Sequence, residues 1–404
     1  MITINDKSKC CGCSACMNIC PVNAIEMIPD SQGFLYPSVK NDTCIECGKC
    51  EAVCPIINAE KESAFEQEAY IIQHKDSEIL KDSTSGGAFT AIAESILDRG
   101  GVVFGAGYGE GFRVIHRSAE NSRELHTFRN SKYVQSDKGK SFSEAQKFLR
   151  EGRRVLFSGT PCEVEGLLKF LGAESESPLL LTVDIVCRAV PSPLVLNTYL
   201  NMIDGGNVTG LRFRDKRKYG YLYSQLVAER ENSRPVCEGI ETNIYLRAFF
   251  SNVCDRPSCY SCKFRKRYRR SDITLWDCWD VSKFSRQGAK FNQNAGVTRA
   301  LVHSQRGREI MADALKFCVY DRISADDAVR YDSREMFYPV PKDEERYAKF
   351  WESFGHDPEG TLRKFFPRTF KTRLESFLRR AAFRTGIYSL VRKVYRKLFG
   401  QRKR

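Results

Sequence analysis

Nine of the first 54 residues are cysteines, and eight of them form two runs with the same spacing. The first run is Cys10, Cys13, Cys16 and Cys20, and the second is Cys44, Cys47, Cys50 and Cys54. The last cysteine of each run is followed directly by a proline. In this repeated spacing three thiolates of each run bind one [4Fe-4S] cluster, and the fourth crosses to the other cluster. We therefore expect one cluster on Cys10, Cys13, Cys16 and Cys54, and a second on Cys44, Cys47, Cys50 and Cys20.

Other uses of so many cysteines fit the two runs less well. Zinc sites usually pair two CxxC knuckles around one tetrahedral ion, and a triple CxxCxxC serves such a site poorly. Disulfides need an oxidising compartment, and the first 20 residues show no secretory pattern. The spacing is that of bacterial two-cluster ferredoxins, so residues 1–58 are predicted to form a two-cluster ferredoxin domain in a cytoplasmic protein. Cys11 is interpreted as a spare residue in the ligand loop.

The positive charge of the chain is concentrated at one end. The net charge is +14, and residues 363–404 contain 15 Lys or Arg against one acid, Glu375. The rest of the chain is therefore neutral, which argues against a nucleic-acid-binding body, because such a body carries its basic patch within the fold. The chain contains no run of about 18 apolar residues, so no transmembrane helix is predicted.

Strand and helix signals alternate after an acidic linker at residues 58–68. Apolar strand patterns at 69–73, 101–106, 153–158 and 179–186 are interleaved with helix patterns at 87–97, 143–150 and 163–171. Such alternation predicts an α/β core with a mixed sheet. Cys162 and Cys187 both follow predicted strands, at the edge where open α/β sheets bind ligands. For each of them alone, a buried structural cysteine is the competing interpretation.

Two further segments have residue types suited to cofactors. Residues 83–87, Ser-Thr-Ser-Gly-Gly, precede a predicted helix, where free backbone N–H groups suit a phosphate or a flavin edge. An ordinary N-cap is the equal alternative. Cys254, Cys259 and Cys262 are three close thiols, one short of a cubane cluster, and Cys187 or Cys162 could supply the fourth. A zinc knuckle remains the alternative there.

A series of short motifs in a fixed order resembles the beta-subunit family of coenzyme F-420 hydrogenase and dehydrogenase. The segments that carry the resemblance are residues 83–89, 130–136, 157–162, 184–187 with 191–193, 213–216, the Cys-x4-Cys-x2-Cys segment and 272–275. The resemblance implies noncovalent FAD, a third [4Fe-4S] cluster, and electron exchange with a two-electron acceptor. It places FAD or the polar groups beside it at Ser85, Gly86, Gly87, Ser131, Lys132, Tyr133 and Thr160, and the third cluster at Cys187, Cys254, Cys259 and Cys262.

The sequence also departs from the family pattern. Arg188 and Ala189 stand where His-Gly is usual, Glu163 replaces a Gln, and Trp276 replaces the Gly of Gly-Asp-x-Trp. These changes fall near the expected flavin and substrate pocket. The substrate is therefore expected to be coenzyme F-420 or another small two-electron acceptor, in a context such as polysaccharide synthesis.

Together these patterns predict an α+β/α/β protein with four parts. They are the ferredoxin domain (1–58), an FAD-binding part of a mixed-sheet α/β domain (69–150), a second part with the cysteine cluster (151–320), and a basic helical tail (362–404). The expected function is an iron–sulfur flavoprotein oxidoreductase that takes electrons from a redox partner such as a ferredoxin. The alternative is a non-catalytic electron-transfer subunit that feeds a partner enzyme. No catalytic residue is predicted.

The tail has the pattern of a basic amphipathic helix. Its apolar side chains recur at helical spacing, and the first group is Phe365, Phe366, Phe370, Leu374, Phe377, Leu378, Ala381 and Ala382. A second group follows Gly386 and comprises Ile387, Leu390, Val391, Val394, Tyr395 and Leu398. Basic residues fill the other faces, so the tail is predicted to contact an anionic membrane peripherally. Docking on the body of the protein or on an acidic partner is the alternative.

Overall fold

The computed structural model describes residues 1–204, 207–285, 288–330 and 333–388. Its strands, in chain order, are β1 (Ile25–Pro29), β2 (Leu35–Val39), β3 (Glu68–His74), β4 (Val102–Tyr108), β5 (Val114–Ala119), β6 (Val155–Gly159), β7 (Leu180–Ile185), β8 (Val208–Asp215), β9 (Gln225–Arg230), β10 (Ser233–Glu238), β11 (Ile273–Asp277), β12 (Thr298–Val302) and β13 (Cys318–Ile323). They form three sheets.

The α-helices of the described residues are distributed along the whole described chain, from the N-terminal segment to the start of the tail. They are α1 (Ala15–Ile19), α2 (Lys49–Ala52), α3 (Ser77–Asp82), α4 (Ala88–Leu97), α5 (Ser122–Leu125), α6 (Ser141–Arg150), α7 (Pro161–Leu171), α8 (Pro193–Asp204), α9 (Ile244–Phe250), α10 (Gln305–Ala314), α11 (Ala325–Arg330), α12 (Ser333–Phe337), α13 (Glu344–His356), α14 (Pro358–Phe365) and α15 (Phe370–Arg384). None of the helices in the described ranges is long and apolar enough to cross a membrane.

The largest sheet has eight strands in the order β13-β3-β12-β11-β7-β6-β4-β5. Its centre is parallel, since β4 pairs with β6, β6 with β7 and β7 with β11, while the outer pairs are antiparallel. The strands β6 and β7 are mostly apolar and mostly buried, as expected of strands covered on both faces. The predicted mixed α/β sheet is confirmed.

The N-terminal segment is a small unit built around the hairpin of β1 and β2 and the short helices α1 and α2. It packs on the α/β body through specific contacts. Asn18 donates to the carbonyl of Gly139 at 2.9 Å, and Lys263 donates to the carbonyl of Ile56 at 3.1 Å. The unit is therefore fixed against the body close to the cysteines of residues 254–262.

The described part of the tail is divided between the body and solvent. Phe366 and Ala382, both predicted on the apolar face of the tail, are buried, and Ala382 packs beside Tyr219 and Tyr223. Phe370 and Phe377 are 81% and 67% exposed, and Leu374 and Leu378 are exposed with them. The first predicted group is therefore divided between side chains buried against the body and side chains exposed to solvent. In the second group only Ile387 can be described, and Leu390, Val391, Val394, Tyr395 and Leu398 lie outside the described residues.

Candidate functional site

The second cysteine run, with one thiol from the first, surrounds a cleft at the surface. This cleft of about 360 Å³ is open to solvent and is lined by Cys20, Cys44, Cys47 and Cys50. Cys47 is exposed and the exposed side chain of Ile45 borders the same cleft. We call these four thiols the distal set.

The first run surrounds a second cleft together with the last thiol of the second run. This cleft of about 330 Å³ is lined by Cys10, Cys13, Cys16 and Cys54, with Cys11 beside them. Cys13, Cys16 and Cys54 are buried, and burial raises the pKa of Cys16 well above its ordinary value. We call Cys10, Cys13, Cys16 and Cys54 the proximal set. The crossing of Cys20 and Cys54 that the spacing predicts is therefore the arrangement of the thiols in the structure.

The two thiol sets fit cubane clusters better than single ions. Each set lines a cleft, and within the described ranges no three His, Cys, Asp or Glu side chains converge closely enough to hold one metal ion. Four thiols spaced around a cleft are the donor set that a [4Fe-4S] cube requires.

Four further thiols meet where α7 and β7 adjoin residues 254–262. Burial raises the pKa of Cys187, and Cys162 and Cys262 raise it further. Burial also raises the pKa of Cys259, with added contributions from Cys187, Cys262 and Cys162. We call Cys162, Cys187, Cys259 and Cys262 the inner set. Since β6 and β7 are parallel neighbours, Cys162 and Cys187 lie at the same edge of the sheet.

Cys254 lies apart from the inner set, although its spacing from Cys259 suggested a common ligand group. It is fully buried in the core formed by α8, α9 and the β8–β9 hairpin, beside Tyr245. Its carbonyl accepts a hydrogen bond from the backbone N–H of Ser192 at 2.9 Å. The structure thus brings Cys162, rather than Cys254, into the group with Cys187, Cys259 and Cys262.

Helix α7 connects the proximal and inner sets. Cys162 stands in its first turn, and at Gly166, one turn further, a Cβ atom would lie 2.8 Å from the Cys13 sulfur. Cys11 lies close to both sets, because Cys13 and Cys162 together raise the pKa of its thiol well above its ordinary value. One apolar cluster includes cysteines of all three sets, together with Phe264. The twelve thiols of the three sets therefore form one continuous region.

The predicted flavin loop, residues 83–87, connects α3 to α4 rather than a strand to a helix. The Ser85 hydroxyl donates to the carbonyl of Val297 at 2.7 Å, and the Gly86 N–H donates to the Thr298 hydroxyl at 2.8 Å. Gly87 caps α4 with a φ of 77°. The backbone N–H of Ser131 donates to the Thr84 hydroxyl at 2.7 Å, so residues 84–87 and Ser131 are neighbours.

The other predicted flavin residues have different surroundings. Lys132 donates to the carbonyls of Phe128, Arg129 and Asn130 at 3.0–3.2 Å, and burial lowers its pKa to about 7. Tyr133 packs against Phe249. The hydroxyl of Thr160 is 3.2 Å from the Cys162 sulfur, so Thr160 lies with the inner thiols rather than with residues 84–87.

Two cations beside the flavin loop were not predicted as site residues, although both lie in the motif at 213–216. Lys216 donates to the carbonyl of Ser85 at 2.6 Å, and burial lowers its pKa to about 7. Arg214 pairs with Asp277 at 2.9 Å and lies over the ring of Trp279, 4.8 Å from its centroid. The motif order was the only signal in the sequence that could have indicated them.

Comparisons with known proteins match two parts of the chain. Residues 9–57 match the 4Fe-4S dicluster domain, and residues 152–325 match the family described as the C terminus of the beta subunit of coenzyme F420 hydrogenase/dehydrogenase. Residues 152–325 therefore belong to this beta-subunit family. The 152–325 match includes all four inner thiols, whereas residues 83–87 and 131–133 lie outside both matched ranges.

Single relatives match the N-terminal part of the chain. The chain is 37% identical over 65 residues to a protein named ferredoxin 7Fe from Hydrogenibacillus schlegelii, which covers 16% of this chain and 77% of that protein. It is 36% identical over 77 residues to a ferredoxin from Alicyclobacillus acidocaldarius, covering 19% of this chain and 85% of the ferredoxin. The N-terminal unit is therefore an iron–sulfur domain of the ferredoxin type.

One solved structure is similar over most of the chain. It is a chain of the F420-reducing NiFe hydrogenase complex from Methanosarcina barkeri, with 15% identity and a TM-score of 0.45. The match covers 74% of this chain and 90% of that one.

Proposed function

We propose that this protein is an iron–sulfur flavoprotein oxidoreductase of the cytoplasm. It would exchange electrons between [4Fe-4S] clusters and FAD, and act on a small two-electron substrate such as coenzyme F-420. The observation that carries the proposal is the single region formed by three sets of four thiols. Iron–sulfur clusters carry single electrons, and FAD, when bound, joins this one-electron chemistry to two-electron chemistry.

Each thiol set would hold one cluster, and the position of the set at the surface or in the interior would determine its role in electron transfer. The distal set would hold the cluster that meets a redox partner, because Cys47 is exposed there. The proximal set would hold the next cluster, beneath α7. The inner set of Cys162, Cys187, Cys259 and Cys262 would hold a third cluster, and this assignment replaces Cys254 of the sequence prediction with Cys162.

The surroundings of residues 84–87 support an anionic cofactor. Lys216 contacts this loop at the carbonyl of Ser85, Arg214 lies 3.3 Å from the hydroxyl of Tyr133, and the neighbouring Tyr221 and Trp279 rings stack with centroids 4.6 Å apart. Buried cations suit the FAD diphosphate, and stacked aromatic rings suit a planar ring system. We infer that Ser85, Gly86, Gly87 and Ser131 contact FAD through this side of the sheet. Lys132, already bound to three carbonyls, would shape the loop.

The substrate pocket would differ from that of relatives with His-Gly after the sheet-edge cysteine. Arg188 takes the first of these places and pairs with Glu335 at 3.2 Å and with Asn252 at 2.8 Å. A guanidinium there favours an acidic substrate. The substrate would be coenzyme F-420 or another small two-electron acceptor.

The second candidate function is an electron-transfer subunit without its own substrate, which feeds a partner enzyme. The exposed distal cleft favours it, because a surface cluster site serves either direction of transfer. The two functions differ in flavin. Anaerobically purified protein should contain FAD that dithionite bleaches, together with about twelve irons. Clusters without FAD would favour the electron-transfer subunit.

A matched pair of variants tests the inner set. Cys162→Ala should lower the iron content by about four per chain, since it removes a proposed cluster ligand. Cys254→Ala should keep the iron and only loosen the core around Tyr245. The assignment would be overturned by the reverse pattern. Zinc in place of the missing iron in the unmodified protein would identify the site as a zinc knuckle.

We also propose that α15 contacts an anionic membrane surface. Phe370, Leu374, Phe377 and Leu378 form one exposed stripe of the helix, whose other side is docked on the body. Exposed basic residues, among them Lys371 and Arg373, flank the stripe, and each contributes about 1 kcal/mol near anionic lipid. The double variant Phe370→Asp/Phe377→Asp should lose flotation with anionic liposomes. Tyr338→Asp, at another exposed aromatic side chain, should float as the unmodified protein does.

Truncation of the tail is a poorer test of this membrane contact. Leu362 and Phe366 are buried in the body, so removing residues after 360 would also remove core side chains. Equal flotation of the double aspartate variant and the Tyr338→Asp control would favour the alternative, in which the tail binds the protein itself or an acidic partner.

A further inference from the structure

Arg256 reaches from the loop of the inner thiols to the proximal set. It lies in the segment between Cys254 and Cys259, and its side chain is only 1% exposed. Its Nε donates to the carbonyl of Cys10 at 2.8 Å, and one Nη donates to the carbonyl of Leu35 at 2.9 Å. The same nitrogen lies 3.5 Å from the Cys10 sulfur. A buried guanidinium is thus fixed beside a proximal thiol.

The rest of the guanidinium is directed at the turn that carries the proximal thiols. Its other Nη is buried without a hydrogen-bond partner among the described residues, and so is Nε2 of Gln135. Both donors meet at Gly12, where an added Cβ would lie 2.9 Å from the Arg256 nitrogen and 2.6 Å from the Gln135 nitrogen. Gln135 is itself held by the N–H of Leu35, which donates to its Oε1 at 3.0 Å.

Unpaired buried donors are costly, so two of them at one turn call for an acceptor. Cluster sulfurs and thiolates accept N–H bonds, and such bonds together with nearby charge set the reduction potential of an iron–sulfur cluster. Tyr36 holds the guanidinium in place from the other side, with its ring centroid 4.1 Å from Arg256 Cζ.

We propose that Arg256, supported by Gln135, is a positioning residue that raises the reduction potential of the cluster held by the proximal set. The inference rests on the proposed function, because it takes Cys10 as a ligand of that cluster. The charge favours the reduced, more negative cluster, and the hydrogen bonds of Arg256 described above reach the proximal turn rather than the distal one. The proximal cluster should therefore be the easier of the two to reduce.

The test compares midpoint potentials of the two ferredoxin-type clusters in an EPR-monitored titration of the whole protein. Arg256→Gln should shift the equilibrium between the clusters toward the distal one by about tenfold, which is 59 mV for a one-electron couple. Arg256→Lys, which keeps the charge, should shift it less. Arg306→Gln is the control, because that guanidinium binds the carbonyls of Ser175 and Ser177 instead.

Iron content separates the possible failures. Unchanged potentials in Arg256→Gln with full iron would overturn the role of Arg256 and leave the cluster assignment standing. Absence of clusters from the unmodified protein would overturn the proposed function itself. If Arg256→Gln does not retain iron, the Arg256→Lys variant is used instead, and the coupling of exchangeable protons to its proximal cluster is compared with that of the unmodified protein. A changed coupling supports the proposal, and an unchanged coupling contradicts it.

Discussion

Cys13 and Cys47 hold the same place in two runs of identical spacing, yet their surroundings are opposite. Cys13 is buried under α7, whereas Cys47 is exposed at the surface. The backbone conformation is shared, because Gly12 and Glu46 are equivalent positions with φ values of +70° and +51°. Their side chains follow the surroundings: at Gly12 the guanidinium of Arg256 leaves no space for a Cβ, whereas Glu46 is exposed.

The comparison shows two separate constraints on a ligand run. The cysteine spacing and the left-handed turns are local requirements of cluster binding, and both runs meet them. The residues between the cysteines reflect what packs against each run. An apolar residue at Ile45 and an acid at Glu46 suit a surface that meets a partner, whereas Cys11 and Gly12 suit close contact with the body.

The largest expected effect comes from removing the equivalent ligands. Cys13→Ala and Cys47→Ala should each lower the iron content by about four per chain. Only Cys13→Ala should also block reduction of FAD by dithionite, because it interrupts the buried part of the thiol region. Cys47→Ala should block reduction of FAD by a ferredoxin but not by dithionite. Stopped-flow reduction with both donors separates them, and identical behaviour with both donors would contradict the division into distal and proximal sets.

The next prediction compares the turn at Gly12, where other side chains are close, with the turn at Gly48, where space is open. Ala at either Gly12 or Gly48 meets a positive φ, +70° or +71°, which costs about 1 kcal/mol. No atom lies within 4 Å of an added Cβ at Gly48, whereas Gly12→Ala also displaces Arg256 and Gln135, adding about 1–3 kcal/mol. Thermal unfolding under anaerobic conditions should show the larger loss for Gly12→Ala. Equal losses would mean that the contacts at Gly12 relax freely.

A smaller effect concerns the surface around the distal set. Ile45 is 60% exposed and borders the cleft of Cys44 and Cys47. Ile45→Asp should slow reduction by a ferredoxin several-fold, because it places an acid against a typically acidic partner, while dithionite reduction and iron content stay unchanged. Ile28→Asp, at another exposed apolar residue of the same domain, is the control. An equal effect of both substitutions would show that general surface charge, rather than the cleft, governs the encounter.

The same division between local and long-range constraints explains what could be predicted from the sequence. The crossing of Cys20 and Cys54 and the buried strands at Val155–Gly159 and Leu180–Ile185 follow from short patterns. The inner set follows only in part, because the strand pattern placed Cys162 and Cys187 at one sheet edge, whereas the short spacing to Cys259 favoured Cys254 as a ligand. The parallel pairing of β6 with β7 is what brings Cys162 into the set. The edge strand Cys318–Ile323 was missed, because the charged residues Asp321 and Arg322 interrupt its apolar pattern.

The smallest expected effect is at Cys11, the position equivalent to Ile45. Cys11 lies close to Cys13 and Cys162, which raise the pKa of its thiol, but it lies outside the four proximal and the four inner thiols. Cys11→Ala should therefore keep about twelve irons. Removing one buried sulfur should cost about 1 kcal/mol of stability and slightly slow the step between the proximal and inner sets. Iron analysis and stopped-flow flavin reduction measure both effects. A loss of about four irons would make Cys11 a ligand, and the two runs would then differ in their chemistry as well as in their surroundings.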